Sequence, residues 1–185
     1  MSNPTVNVNR WEANSQLEQD NKDLCKTMAI RFAKESLKWT EPVKFRWATL
    51  EENKNGVDCW ISRDGKSAIG IDFKLRRTGT CKFWKNGNPD ILIEYSQATT
   101  TGWATAGHNP NIVVMFIFLD AFEDNSKYAS TAAIALTLST CTRLVNEAPA
   151  HGFKVRKGYN GAGYAENYEV PLSVLESKSY RILAA

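Results

Sequence analysis

Apolar residues recur along this chain with two different periods, and the change of period marks the elements. Between residues 16 and 38, Leu17, Leu24, Cys25, Met28, Ala29 and Phe32 fall on one side of a 3.6-residue repeat, which predicts an amphipathic helix. Ser15 to Glu18, "SQLE", has the S-x-x-E form of a capping box at its start. Glu41 precedes Pro42, and a residue before proline avoids the α region, so the helix stops there. Shorter runs with strand character follow: "VKFRWATL" (43–50), "VDCWIS" (57–62), "SAIGIDFKL" (67–75) and "DILIEY" (90–95). "IVVMFIFL" (112–119) is apolar throughout, as a strand buried on both faces should be.

Polar, glycine-bearing loops separate these runs. Residues 130–147 predict a second helix, despite the serines and threonines in its middle. "HGFKVRKGYNGAGY" (151–164) reads as a basic loop, and "YEVPLSVLE" closes the chain as a short strand and helical turn. The order helix, five strands, helix gives one mixed α/β domain over 15–185, preceded by a polar, flexible arm over 1–14.

Composition narrows this little. With 43% hydrophobic and 23% charged residues the chain is ordinary for a globular domain. No apolar run reaches the roughly 18 residues of a membrane span, and the N-terminus has no apolar signal core. Cys25, Cys59, Cys81 and Cys141 are widely spaced without a C-x-x-C pair, which predicts reduced thiols in an intracellular, cytoplasmic setting rather than a zinc site. A net charge of +3 permits nucleic acid as a partner without requiring it. His108 and His151, the only histidines, both fall in predicted loops beside no nucleophile.

One stretch resists the apolar pattern. "IGIDFKLRR" (69–77) places Asp72 and Lys74 on one face of an otherwise apolar strand, where an unpaired charge is costly to bury. A three-residue turn at Arg63-Asp64-Gly65 pairs Cys59 with Ile69 and keeps both apolar sets on one face. In that register Asp58 stands opposite Gly70 and diagonal to Asp72, about 7–8 Å away. Gly70 then leaves room above Asp58 for a metal and a phosphate. Two neighbouring carboxylates with no histidine or thiolate nearby suit Mg²⁺ or Mn²⁺, and Lys74 is placed to orient water or steady a phosphate. The alternative is a solvated Asp–Lys pair, since a D-x-K triplet alone arises by chance in about half of chains this long.

The combination "GVDCWISRDGKSAIGIDFK" resembles the catalytic hairpin of the PD-(D/E)XK, or restriction-endonuclease-like, nuclease superfamily, most of all archaeal Holliday-junction resolvases and small phage nucleases. Asp58, Asp72 and Lys74 take the motif positions, with Gly56-Val57 in place of the proline and Asp72 where glutamate is frequent. "ILIEYSQATTTGWA" is similar to a phage-nuclease stretch in which a Glu-bearing strand precedes a Gly-Trp pair.

The resemblance implies a mixed central sheet of four to five strands flanked by helices. It also implies a Mg²⁺-dependent DNA endonuclease acting on junctions or as a restriction or homing enzyme, and a homodimer. The superfamily adds an acid from the first helix. Glu18 is the choice by position on the helix, with a capping role as its alternative, whereas Glu35 lies at the wrong end. Glu94 is either a further metal ligand or a solvated edge residue. Arg76, Arg77, Lys82, Lys85, Lys154, Arg156 and Lys157 are candidate DNA contacts, or else solvated charge. A nucleic-acid-binding module without chemistry, or an unrelated α/β protein, are the competing expectations.

Overall fold

The computed structural model describes residues 16–17, 19–64, 68–76, 90–97, 101–109, 111–119, 131–159 and 164–183. The expectations for the 1–14 arm, Ser15, Glu18, Arg77, Lys82 and Lys85 lie outside these residues. Residues 16–17 and 19–20 are helical, and the helix α1 (Lys22–Arg31) that follows runs on into a π-helical turn at Phe32–Ser36. Next come β1 (Lys44–Trp47), a short α2 (Leu50–Lys54), β2 (Cys59–Ser62), β3 (Ile69–Arg76), β4 (Asp90–Gln97) and β5 (Val113–Phe118). The chain continues through β6 (Thr131–Thr137), α3 (Leu138–His151), β7 (Lys154–Tyr159), β8 (Tyr164–Pro171), α4 (Leu172–Leu175) and β9 (Tyr180–Leu183).

The fold is α/β with a mixed sheet. Six strands form it, where four to five were expected, in the order β1-β2-β3-β5-β6-β9, because β6 and β9 extend it, and β4-β8-β7 form a second, antiparallel sheet. All neighbours in the large sheet are antiparallel except β3 and β5, which are parallel. A parallel pair requires a crossover. Among the described residues of that crossover the regular element is β4, a strand of the second sheet, where a helix is usual.

Two apolar layers sandwich the large sheet. On one face Cys25, Met28, Ala29 and Phe32 of α1 pack on Cys59, Ile61, Ile71, Phe73 and Met115. On the other, Val114, Phe116, Ile134 and Leu136 meet Ile91 and Ile93 of β4, Val170 of β8 and Cys141 and Leu144 of α3. Each such isoleucine or phenylalanine contributes about 1.5–3 kcal/mol by leaving water. Every residue of β5 is buried, as its unbroken apolar run predicts. No described helix is long and apolar enough to cross a membrane.

Three expectations are corrected. Residues 131–137 form β6, with α3 starting only at Leu138. "TAAIAL" is alanine-rich and reads as helix by propensity, yet it is buried between β5 and β9, and packing overrides propensity. Thr137 then caps α3, accepting the Thr140 N–H at 3.2 Å. The segment 151–164 is not a loop throughout, for β7 and β8 pair from Lys154↔Glu169 to Tyr159↔Tyr164.

The third concerns the β2–β3 register. The pairs are Cys59↔Ile71, Trp60↔Gly70 and Ile61↔Ile69, two residues away from the register expected from a tight turn. A two-residue slip leaves each side chain on its own face, so the hydrophobic pattern cannot distinguish the two. Packing does: a Cβ on Gly70 would stand 3.3 Å from both Val57 methyl groups and 3.4 Å from the Trp60 ring. The space above Gly70 therefore belongs to Val57 and Trp60, not to a metal or phosphate.

Candidate active site

β2 begins at Cys59, while β3 continues past its partner to Arg76. Among the described residues no strand pairs with that edge of β3 beyond Ile71, and Asp58 fills the place. Its Oδ2 accepts the Phe73 N–H at 2.6 Å, and its Oδ1 accepts from Asn53 Nδ2 at 2.7 Å. Asn53 is presented by α2, whose first turn is held twice. Thr49 and Glu52 form a reciprocal capping box, and Arg46 grips both Glu52 oxygens at 2.6 and 2.8 Å. That pair, with the Thr49 N–H, holds the Glu52 carboxyl down at about 2.

Asp72 and Lys74 project from the face of β3 opposite Ile71 and Phe73, toward the second sheet, with Asp58 at the edge between them. Lys74 Nζ lies 2.8 Å from Asp72 Oδ1, with their side chains 25% and 11% exposed. Burial, and then the Asp72 carboxylate beside it, push the Asp58 carboxyl up to about 7, against the opposing pull of Lys74 and the Phe73 N–H. The pair therefore holds one negative charge more comfortably than two, which is the condition a divalent cation relieves.

A second support comes from the loop after β4. Gly102 lies flat on the β4 backbone: a Cβ there would fall 2.5 Å from the Glu94 carbonyl oxygen and 2.6 Å from Tyr95 C. The approach lets the Gly102 N–H donate to Tyr95 O at 3.1 Å and the Ala104 N–H to Glu94 O at 3.2 Å. Thr142 of α3 clamps the same loop by donating to Ala104 O at 2.6 Å. Trp103 is thereby held with its ring under Lys74 Nζ, 5.5 Å from centroid to nitrogen. The Gly-Trp pair thus has a packing reason, and Trp103 and Asn53 join the site although neither was singled out as a site residue from sequence.

The structure thus brings Asp58, Asp72 and Lys74 together. It does not bring Glu94 to them. Glu94 accepts from Gln97 Nε2 at 2.7 Å, and among the described residues no group of three His, Cys, Asp or Glu is gathered as a metal cluster. Glu35 pairs with Arg31 at 2.7 Å, and Arg31 in turn donates to Leu183 O, at the far end of α1 from Asp58.

The proposed DNA contacts are partly spoken for. Arg76 is half-buried and its charge acts on Asp90. On β7, Arg156 pairs with Glu169 and Lys157 with Glu166, leaving the hairpin less basic than its sequence suggests, while Lys154 is exposed. His151 stacks on Phe153 and faces Glu147 at 3.6 Å, and the His108 ring packs against Gly56 in the turn leading to Asp58. The described cysteines, Cys25, Cys59 and Cys141, are buried thiols.

No family model, curated protein or solved structure gives a significant match to this chain.

Proposed function

We propose that this chain is a divalent-metal-dependent DNA endonuclease of the PD-(D/E)XK type. The observation that carries the reading is the meeting of a buried acid, Asp72, a half-buried one, Asp58, and a lysine where β2 ends and β3 runs on. Two carboxylates meet there beside Lys74, and the charge strain on Asp58 suits a hard dication. Mg²⁺ and Mn²⁺ need only one or two carboxylates, completing their shell with water and substrate oxygens.

Asp58 and Asp72 would hold the ion, which supplies Lewis-acid polarisation of the phosphate and acidifies a bound water. Lys74 carries three donors, so while one meets Asp72 the others orient a water or a phosphate oxygen. Hydrolysis forms a bond from the water oxygen to phosphorus and breaks the opposite phosphorus–oxygen ester bond. The proton goes to the departing sugar oxygen. Asn53 and the Phe73 N–H fix the Asp58 carboxylate, and Trp103 fixes Lys74. The proposal includes Glu18 as a further acid from the first helix, and a homodimer, because four-way junctions and duplex sites offer two related scissile bonds.

A DNA-binding module without chemistry is the second reading, favoured by the donors already on these oxygens, Asn53 and the Phe73 N–H on Asp58 and Lys74 on Asp72. Incubation with plasmid, linear duplex, single-stranded and four-way-junction DNA, in Mg²⁺, Mn²⁺ or EDTA, separates the two. Metal-dependent cutting that Asp72→Asn abolishes is the expected result. Binding of DNA with no cutting in either metal would establish the second reading.

A further inference from the structure

The Asp58 carboxylate also forms part of the wall of a cleft of about 340 Å³, on the side of the large sheet that carries α1. Gln19, Lys22 and Cys25 line one side and Trp47, Thr49, Leu50 and Asn53 the other, with Phe73 beside Asp58. We propose that this cleft seats a single unpaired nucleotide of the DNA strand, so that the enzyme acts where a base has left the stack. The proposal rests on the nuclease reading of the Asp58 site and names the substrate feature that site selects.

Three observations converge. The cleft's volume is at the small end of ligand sites and suits one nucleotide, whereas a paired duplex cannot insert a base into it. Its rim is apolar where a free surface has no need to be: Trp47 is 37% and Leu50 75% exposed. Apart from the Asp58 carboxylate and the Lys22 ammonium, its polar groups are the neutral amides and hydroxyl of Gln19, Asn53 and Thr49, which suit the edge of a base.

Lys22 Nζ lies over the Trp47 ring, 5.5 Å from its centroid. Lys22 is exposed, so an incoming base can take its place on the indole while the ammonium turns to the nucleotide's own phosphate. One edge of Trp47 is already fixed against Phe45 and Phe73, at 4.9 and 6.3 Å between centroids. The ring therefore offers a rigid platform of the kind that binds unpaired bases.

The test uses the full chain in EDTA with two duplexes of one sequence, fully paired or carrying a single-nucleotide 2-aminopurine bulge. The expected result is roughly tenfold tighter binding of the bulged duplex, with a saturable change in 2-aminopurine fluorescence. Trp47→Ala should bring the ratio of the two affinities close to one. Gln19→Ala, at an exposed position that the fold does not need, should lower it several-fold.

Equal binding of both duplexes, a preference that survives both substitutions, or no binding of DNA would each overturn the proposal. Repeating the pair with Mg²⁺ separates this from the nuclease reading. Bulge preference without cleavage leaves the cleft standing and removes the chemistry. Cleavage of both duplexes at one rate does the reverse.

Discussion

The Lys74 ammonium lies over the Trp103 ring, 5.5 Å from its centroid, while bonding Asp72 at 2.8 Å. An aromatic face and a carboxylate thus fix a side chain that would otherwise sample many rotamers. A partly desolvated cation over an indole is worth about 0.5–2 kcal/mol. Trp103→Ala should therefore lower kcat/KM for DNA cleavage by roughly 3- to 30-fold, and Trp103→Phe should recover part of the loss. Because Trp103 acts through Lys74, the two substitutions should not add: Trp103→Ala should cost almost nothing in a Lys74→Ala background. Full additivity would show that Trp103 acts elsewhere.

Asp72 and Lys74 should separate activity from stability. Lys74→Ala leaves a buried acid without its cation and should cost about 1–3 kcal/mol in urea unfolding, less than a fully buried pair because Lys74 is partly exposed. Asp72→Asn keeps an acceptor for Lys74 and removes the repulsion felt by Asp58. It should unfold within about 1 kcal/mol of wild type. Both variants should lose cleavage by a hundredfold or more. An active Asp72→Asn enzyme would remove Asp72 from the site.

Gly102 tests the Gly-Trp corner. In Gly102→Ala the methyl group would sit 2.5–2.6 Å from the Glu94 and Tyr95 backbone, which has no flexible end to move aside. Relief requires lifting the loop, breaking its hydrogen bonds to β4 and withdrawing Trp103 from Lys74. A destabilisation of about 2–4 kcal/mol is expected, with cleavage falling at least as far as in Trp103→Ala. A normal melting temperature would show that the loop is looser than its contacts imply.

What the sequence made legible follows from what its pattern constrains. Alternation in β3 fixes which side chains share a face, so the sequence alone places Asp72 and Lys74 together. The two-residue register could not be read, because it turns on Trp60 needing Gly70 opposite. Asn53 was hidden for a different reason. It sits in "EENKNG", which reads as a polar loop until Arg46 and Thr49 are seen to hold Glu52 and wind it into α2. Thr131 to Leu136 misled because alanine favours a helix in isolation, and only the neighbours β5 and β9 make it a strand. Such contacts are long-range, and one sequence does not display them.

Acid strength links the site to stability. The folded-state values of Asp58 and Asp90 are raised, to about 7 and about 6, in both cases chiefly by burial. A carboxyl raised on folding binds its proton more tightly in the native state, so stability is highest where both states are protonated. It falls as pH rises from about 4 through 6 and 7. Metal-free protein in EDTA should thus melt at a lower temperature at pH 8 than at pH 5. Mg²⁺ competes with the proton at Asp58 and should raise the melting temperature by several degrees at pH 8 and by little at pH 5. In Asp58→Asn the Mg²⁺ effect should vanish, while the part of the slope due to Asp90 persists. An equal Mg²⁺ effect at both pH values would show that the ion binds somewhere other than the Asp58–Asp72 pair.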